Sequence, residues 1–382
     1  PLWRHRIGPG KPWRGFFLFA STVSQPTGRE LCIYLKASDF CPIGCEHCYL
    51  PESIRANRER MSPEIFEATI RTIEGLCERR NPARLILLWH GGEPLSLPRD
   101  WLESACARMK DAFPHAAQAI QTSLIPFSSD WASLIETYFN GFIGSSIDFS
   151  TRHIRGSSET YWDIWMRRVE LARSFGFGVV PTMVPSRADL DRPEEIIHKL
   201  SDAGFRRWRV ERYNAFHGPD PARPDNAEHS RFLTRTFDAV MNRYAHGDVL
   251  DVNVVRAAIG GVLFARPGDR WGGSCSSDFL VVNPDGSTNA CPDRISFESF
   301  ANVSQGPEAV MNNPARRDWI RHHMLGHRNP HCASCEFRTF CKSGCPLTPN
   351  NILEEGECSG YKQHLLHVAE FARRNEAMCL DY

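Results

Sequence analysis

From residue 30 onward, short apolar, β-prone runs alternate with longer stretches whose apolar positions recur at helical spacing. The strand-like runs are "LCIYLKA" (31–37), "ARLILLWH" (83–90), "AQAIQTS" (117–123), "GFIGSSID" (141–148), "FGVVPTMV" (177–184) and "RRWRVERY" (206–213). Helical patterns fall between and after them, near 62–79, 98–113, 128–139, 158–175, 192–203 and 227–245. Ser62 followed by Pro63 reads as an N-cap with proline at the first helical position. Repeated strand–helix alternation predicts a parallel sheet wound by right-handed crossovers. Six units in about 215 residues fall short of the roughly 250 of an eightfold barrel, so the expected fold is α/β, a partial (β/α)6 barrel. A doubly wound open sheet is the alternative. A loop rich in proline and aspartate, "HGPDPARPDN" (217–226), separates the sixth strand from the sixth helix. Beyond about 270 the pattern breaks into Gly, Pro and Cys-rich segments, which predicts a region held by bound metal more than by a large core.

Charge narrows the partners. Lys+Arg and Asp+Glu both number 45 in the 382 residues, which argues against a surface built to coat nucleic acid or seek membranes. No apolar run approaches the roughly 20 residues of a membrane span. The apolar stretch near the start, "FFLFA", is shorter than a signal-peptide core of about 7–15 residues. The expected location is therefore the cytoplasm, where thiols stay reduced and clustered cysteines read as metal ligands or redox groups.

The 14 cysteines are unevenly placed. Cys32, Cys77, Cys106 and Cys379 are isolated in apolar surroundings and read as small core residues. Cys41, Cys45 and Cys48 crowd one loop after the first strand, and seven more lie in the C-terminal third. Three thiolates on one loop can hold three irons of a cubane and leave the fourth iron open for chemistry. Zinc is the competing occupant, but it wants a fourth nearby ligand, and His47 lies awkwardly between two of the three.

The pattern Cys41-x3-Cys45-x2-Cys48 after the first barrel strand resembles the signature of radical S-adenosylmethionine enzymes. In that family the open iron chelates S-adenosylmethionine, and reductive cleavage of its C–S bond yields a 5′-deoxyadenosyl radical. The resemblance gives His47 the place of a residue packed near the adenine. "WHGGEPL" (89–95) is similar to the family's GGEP turn, implying that Gly91, Gly92 and Glu93 meet the methionyl amine. Glycines allow close backbone approach there, and a carboxylate accepts from an ammonium. "SSID" (145–148) resembles the family's Ser-x-Asp, which implies ribose contacts for Ser146 and Asp148. "QTS" (121–123) stands where relatives often carry QTNG, so Ser123 departs from the pattern. Independently of any family, the cysteine loop, Glu93, Thr122, Asp148 and Glu211 all fall at C-terminal ends of successive strands, the face where such barrels place active sites.

The later cysteines resemble the SPASM extension found on radical enzymes that act on peptides and proteins. The resemblance implies two auxiliary 4Fe–4S clusters, three clusters in all. It assigns Cys332, Cys335, Cys341 and Cys358 to an outer cluster, and Cys275, Cys291 and Cys345 to an inner one. The inner set is one thiolate short of a closed cubane, so it either keeps an open iron or borrows Asp269 or a histidine. The run "RHHMLGHRNPHC" (321–332) offers four histidines, which ordinary surface and packing roles also explain. The spacings within 332–345 would also suit a zinc ribbon.

This reading implies the following organisation: an N-terminal extension 1–29, a radical barrel 30–245, a connector 246–269, a SPASM region 270–365 and a C-terminal helix or tail 366–382. The chemistry expected is hydrogen abstraction, electron loss to an auxiliary cluster and proton loss to a base, for which Asp293 in "CPD" is the candidate. Sulfatase-maturing relatives carry an acid directly after the matching cysteine, whereas here Pro292 intervenes; surface salt bridging is the plain alternative for Asp293. "RWRVERYNAFH" (207–217) offers cations and aromatics to a peptide, or else a buried strand with snorkelling arginines. "WHGGEP" and "SIDFSTRHIRGSSETYW" look most like cyclophane-forming peptide maturases of the XYE type. The expected activity is thus an intramolecular cross-link in a ribosomal precursor peptide, with loss of two hydrogens. The short segment before the first strand favours a short or separately delivered leader, and flavodoxin or ferredoxin is the expected electron donor. Oxidation of Ser or Cys to formylglycine is the competing enzyme activity. A non-catalytic iron–sulfur carrier is the reading from another class, and it has no use for Glu93 or Asp148.

Overall fold

The computed structural model describes residues 30–272, 278–293, 299–324 and 330–382. The expected extension 1–29, Cys275 and His327 therefore lie outside the described residues. The chain alternates β1 (Glu30–Lys36), α1 (Glu52–Arg55), α2 (Pro63–Arg80), β2 (Arg84–His90), α3 (Arg99–Ala112), β3 (Ala117–Thr122), α4 (Ala132–Phe139) and β4 (Phe142–Ser146). It continues through α5 (Ser158–Ser174), β5 (Gly178–Met183), α6 (Pro193–Asp202), β6 (Arg207–Val210), α7 (Asn226–Ala245), β7 (Asp251–Val252) and α8 (Asn253–Phe264). Local chemistry sets the ends: Ser62 accepts from the Ile65 N–H with Pro63 in the first turn, and Asp225 with Glu228 closes a capping box on α7.

Strands β1 to β7 are all parallel neighbours. Alternation divides their side chains. Leu31, Ile33 and Leu35 join Leu85, Leu87 and Trp89 in the large core under the helices. Cys32, Ile86, Leu88 and Ala119 form a small apolar plug on the other face, with Tyr34 and Phe279 packed against it. Towards the C-terminal ends that second face turns polar, carrying Lys36, His90, Gln121, Ser146, Thr182 and Arg209 in neighbouring registers.

Two expectations are corrected here. The sixth strand stops at Val210 rather than Tyr213. After the Glu211 N–H bonds Met183 O, the Arg212 guanidinium holds the carbonyls of Tyr213 and Pro224 and draws the chain into a loop. The region after 270 is also not held by its cysteines alone. Strands β8 (Phe279–Val282), β9 (Ser287–Asn289) and β10 (Ala301–Asn302) extend the same sheet, and β8 pairs in parallel with β1. Leu280 and Val282 enter the main core, and the helix Lys362–Arg374 packs on α7 and α8. Periodicity missed this because β8 has only four residues and its partner is about 250 residues away.

His364 on that last helix is 1% exposed, with its ring over Trp271 and Nδ1 at 3.2 Å from Thr234 Oγ1. Burial, then the charges of His367 and Arg270, push its pKa down to about 3. Unfolded, it titrates near 6.5, so below that pH the unfolded chain binds a proton that the folded chain refuses, and stability falls with falling pH. His364→Phe is expected to remove about 1 kcal/mol of the stability loss between pH 7 and 5.5, read from urea midpoints at both pH values.

Candidate functional site

The site begins with two backbones in contact. Gly91 has φ +126°, and a Cβ on it would lie 2.5 Å from Ser38 O; one on Gly92 would meet Phe40 O at 2.2 Å and Asp39 O at 2.3 Å. That closeness lets the Gly92 and Glu93 N–H groups donate to Ser38 O (3.0 Å) and Phe40 O (2.8 Å), just ahead of Cys41. The turn after β2 is thereby fixed against the start of the cysteine loop.

The Glu93 carboxylate is buried and fully engaged. Oε1 accepts from Leu95 N at 3.0 Å and from the Thr122 hydroxyl; Oε2 accepts from Ser123 N at 2.7 Å and from the Ser123 hydroxyl. Ser123, the departure from the expected motif, thus supplies two of the four donors. Ser146 Oγ accepts from Gln121 Nε2 at 3.1 Å, and its carbonyl takes the Tyr161 hydroxyl.

Asp148 lies just beyond β4 and is 2% exposed. Its Oδ1 accepts from Val184 N at 2.6 Å, and its Oδ2 from Arg152 Nε at 2.8 Å, with His47 Nε2 at 3.5 Å. The second edge of Arg152 donates to Cys45 Sγ at 2.9 Å, while His47 Nδ1 meets Thr151 Oγ1 at 3.1 Å and Glu46 N bonds Thr151 O. Segment 148–152 therefore grips the cysteine loop at three points. On its far side, His217 Nε2 meets Cys48 O at 2.9 Å, and Tyr213 and Phe216 pack against His47 and Tyr49.

Burial, then Glu93, raises the Cys41 thiol to about 12, and burial raises Cys45 to about 11 against the pull of Arg152. Burial also lowers the pKa of His47, which keeps the imidazole neutral. Such thiols ionise only beside added positive charge, which a metal cluster provides. Among the described residues no group of three His, Cys, Asp or Glu side chains is drawn together as for a single metal ion. Three thiols spread along one loop suit a larger polynuclear group.

Among the described C-terminal thiols, four lie near one another. Cys332, Cys335 and Cys358 all act on Cys341, whose pKa burial and these neighbours raise to about 12. A Cβ on Gly360 would touch both the Cys341 and Cys358 sulfurs, so a side chain there has no room. Cys345 instead responds to Asp293 and Arg270, and Cys291 acts on Lys36. No described cysteine is in a disulfide. Of the alternative ligands, Asp269 is bonded by Asn253 and paired with Arg270 at 3.3 Å, and His331 faces Asn350.

Two residues that the motifs do not mark stand out. Arg152 is one. Lys36 is the other: fully buried, its ammonium donates to Pro292 O and sits 4.2 Å from the centre of the Tyr49 ring. Burial lowers its pKa to about 8, with Asp39 and Asp293 opposing. Asp293 is raised to about 6, by burial first, with Lys36 opposing and Glu211 adding. A lysine closing the apolar run Leu31–Leu35 was the available signal for Lys36; nothing local marked Arg152. In the segment 207–217, Trp208 is buried, Arg207 pairs with Asp251, Arg209 with Glu211, and Arg212 with backbone carbonyls.

No family model matches the chain. A Synechocystis sp. protein described as uncharacterized is 24% identical over 205 residues, and the match spans about half of each protein, 48% of this chain and 49% of the other. Solved structures reach further. Native anSMEcpe with bound AdoMet and Cp18Cys peptide is similar over 92% of this chain and 99% of its own, at TM-score 0.76 and 16% identity. Streptococcus suis SuiB bound to S-adenosylmethionine is similar over 87% of this chain and 76% of its own, at TM-score 0.58 and 15% identity. SuiB bound to precursor peptide SuiA gives TM-score 0.56 over 86% of this chain and 73% of its own, at 15% identity. At these identities the likeness is one of fold: a mixed α/β architecture on a central parallel sheet, with a cysteine-rich C-terminal region.

The backbone contact can be tested directly. Gly92→Ala is expected to destabilise the protein by about 2–3 kcal/mol, because only backbone can yield there. Gly44→Ala, in the cysteine loop itself but with nothing within 4 Å of the added carbon, should stay within about 0.5 kcal/mol of the parent. Paired denaturant titrations measure both.

Proposed function

We propose that this chain is a radical S-adenosylmethionine enzyme that oxidises a peptide, most specifically a maturase forming an intramolecular cross-link in a ribosomal precursor peptide. The observation that carries it is the single network joining the Cys41–Cys48 loop, Glu93 and Asp148 at the C-terminal ends of parallel strands. An electron carrier has no need of two buried carboxylates held there. The fold supports the reading, since anSMEcpe and SuiB, which share it, have been solved with AdoMet or S-adenosylmethionine and with peptides.

On this reading Cys41, Cys45 and Cys48 hold a 4Fe–4S cluster, and the two C-terminal groups of thiols hold auxiliary clusters. Bound together, the first cluster and S-adenosylmethionine would supply the radical chemistry needed to take hydrogen from an unactivated C–H bond. Glu93 presents acceptor oxygens to the methionyl ammonium once the Thr122 or Ser123 hydroxyl rotates away. Asp148, with Ser146, serves the ribose, and His47 packs against the adenine. The polar face from Lys36 to Arg209 lines the space where the target side chain enters. Asp293, whose carboxyl is raised by burial to about 6 and is therefore mainly the free carboxylate at neutral pH, receives the proton lost from the oxidised substrate, and Lys36 steadies the carboxylate. A flavodoxin or ferredoxin delivers the electron in the cytoplasm, the compartment that suits unpaired thiols.

The test is anaerobic reconstitution followed by mass spectrometry. Reduced protein with S-adenosylmethionine should release 5′-deoxyadenosine, and Cys45→Ala should release none above background. Co-expression with the peptide encoded beside the gene should give loss of two hydrogens, with fragment ions missing between the linked residues. An unmodified peptide alongside a sulfatase fragment that gains a hydrazide-reactive aldehyde would replace this reading with formylglycine formation. Failure of the wild-type protein to cleave S-adenosylmethionine would leave only an iron–sulfur carrier.

A further inference from the structure

Arg152 holds a position that neither the motifs nor the proposed reaction accounts for. It is 8% exposed, in the loop between β4 and α5, four residues after Asp148. One edge of its guanidinium is fixed on Asp148 at 2.8 Å, and the other donates to Cys45 Sγ at 2.9 Å. The Tyr161 ring lies 5.7 Å from the guanidinium carbon, and the Tyr161 hydroxyl is itself anchored on the Ser123 and Ser146 carbonyls. The guanidinium, always charged in a protein, is held in an ion pair with Asp148. A fixed positive charge therefore points a donor at one sulfur of the cysteine loop.

We propose that Arg152 sets the electron affinity of a cluster held by Cys41, Cys45 and Cys48, through a charge-assisted hydrogen bond to the Cys45 sulfur. This rests on the reading of that loop as a cluster site. The reduced cluster carries one more negative charge than the oxidised one, so a donor and positive charge at a ligand sulfur favour it and raise the potential. The electron comes from an external low-potential one-electron donor, and no bond is made or broken. Asp148 gives the device its geometry: by occupying Nε it turns the other nitrogen edge towards Cys45. Arg152 is thus a positioning and tuning residue.

The experiment is an EPR-monitored redox titration of anaerobically reconstituted full-length protein, following the reduced-cluster signal that changes shape when S-adenosylmethionine is added. That change distinguishes this cluster from any auxiliary one. Arg152→Gln should lower the reduced-to-oxidised ratio at fixed potential by about tenfold, equivalent to about 59 mV for a one-electron couple. Arg152→Lys, which keeps the charge and one donor, should fall between the two. Wild-type midpoints in both variants, with iron content unchanged, would overturn the inference and leave the proposed function standing. Loss of iron from Arg152→Gln alone passes the decision to Arg152→Lys, whose intermediate midpoint supports the inference and whose wild-type midpoint overturns it. Loss from both would overturn tuning in favour of a structural clamp. A wild-type protein that shows no signal sensitive to S-adenosylmethionine would bring down the functional reading itself.

Discussion

The rest of the site depends on the approach of two backbones, Gly91–Gly92 against Ser38–Phe40. A strand end and a cysteine loop meet there with no side chain between them, so their separation is set by hydrogen-bond length. Everything downstream inherits that precision. Glu93 follows at once and finds Thr122 and Ser123 at the end of the next strand; Cys41 follows Phe40 and leads to Cys45, which Arg152 holds from the loop after β4. Four consecutive parallel strands thus deliver residues at their C-terminal ends to one small volume.

Electrostatics then decides which groups stay charged. The polar end of the sheet holds Lys36, Arg209, Glu211 and Asp293 in a setting dry enough to bring Lys36 down and Asp293 up. The two shifts bring a weak acid and a weak base towards each other, which is the condition for moving a proton near neutral pH. Arg152 behaves differently, since its guanidinium is always charged and is held in an ion pair with Asp148. One face of the barrel therefore carries a poised pair near Cys291 and a locked ion near Cys45.

The order of strands and helices was legible in the sequence because each unit buries one periodic face, and the helix ends were legible where caps such as Ser62 stand. Gly91 and Gly92 were legible as a point of close backbone approach, but nothing local marked Ser38–Phe40 as the partner. Arg152 and Lys36 were not, for a shared reason: their partners, Cys45, Asp148 and Pro292, are assembled by the fold, and no local spacing encodes a contact between residues 36 and 292. The same holds for β8. Four apolar residues after a glycine-rich stretch signal nothing alone, and become a strand because β1 offers an open parallel edge.

That edge changes how the cysteine-rich region relates to the barrel. With β8 bonded along Cys32 to Leu35, and Lys36 at the end of the same strand donating to Pro292 O, the segment bearing Cys291 is continuous with the strand that leads into Cys41. A shift of the C-terminal region must then either break the β1–β8 ladder or move β1 with it. Breaking it would expose main-chain groups and strand the buried ammonium of Lys36, a combination far more costly than sliding a loosely docked domain. The separation of the two cysteine regions is therefore one that the sheet itself fixes. Variation among proteins of this fold is expected in the loops that reach over the polar face, where Tyr213, Phe216 and His217 lean on the cysteine loop, and not in the spacing of its two cysteine regions.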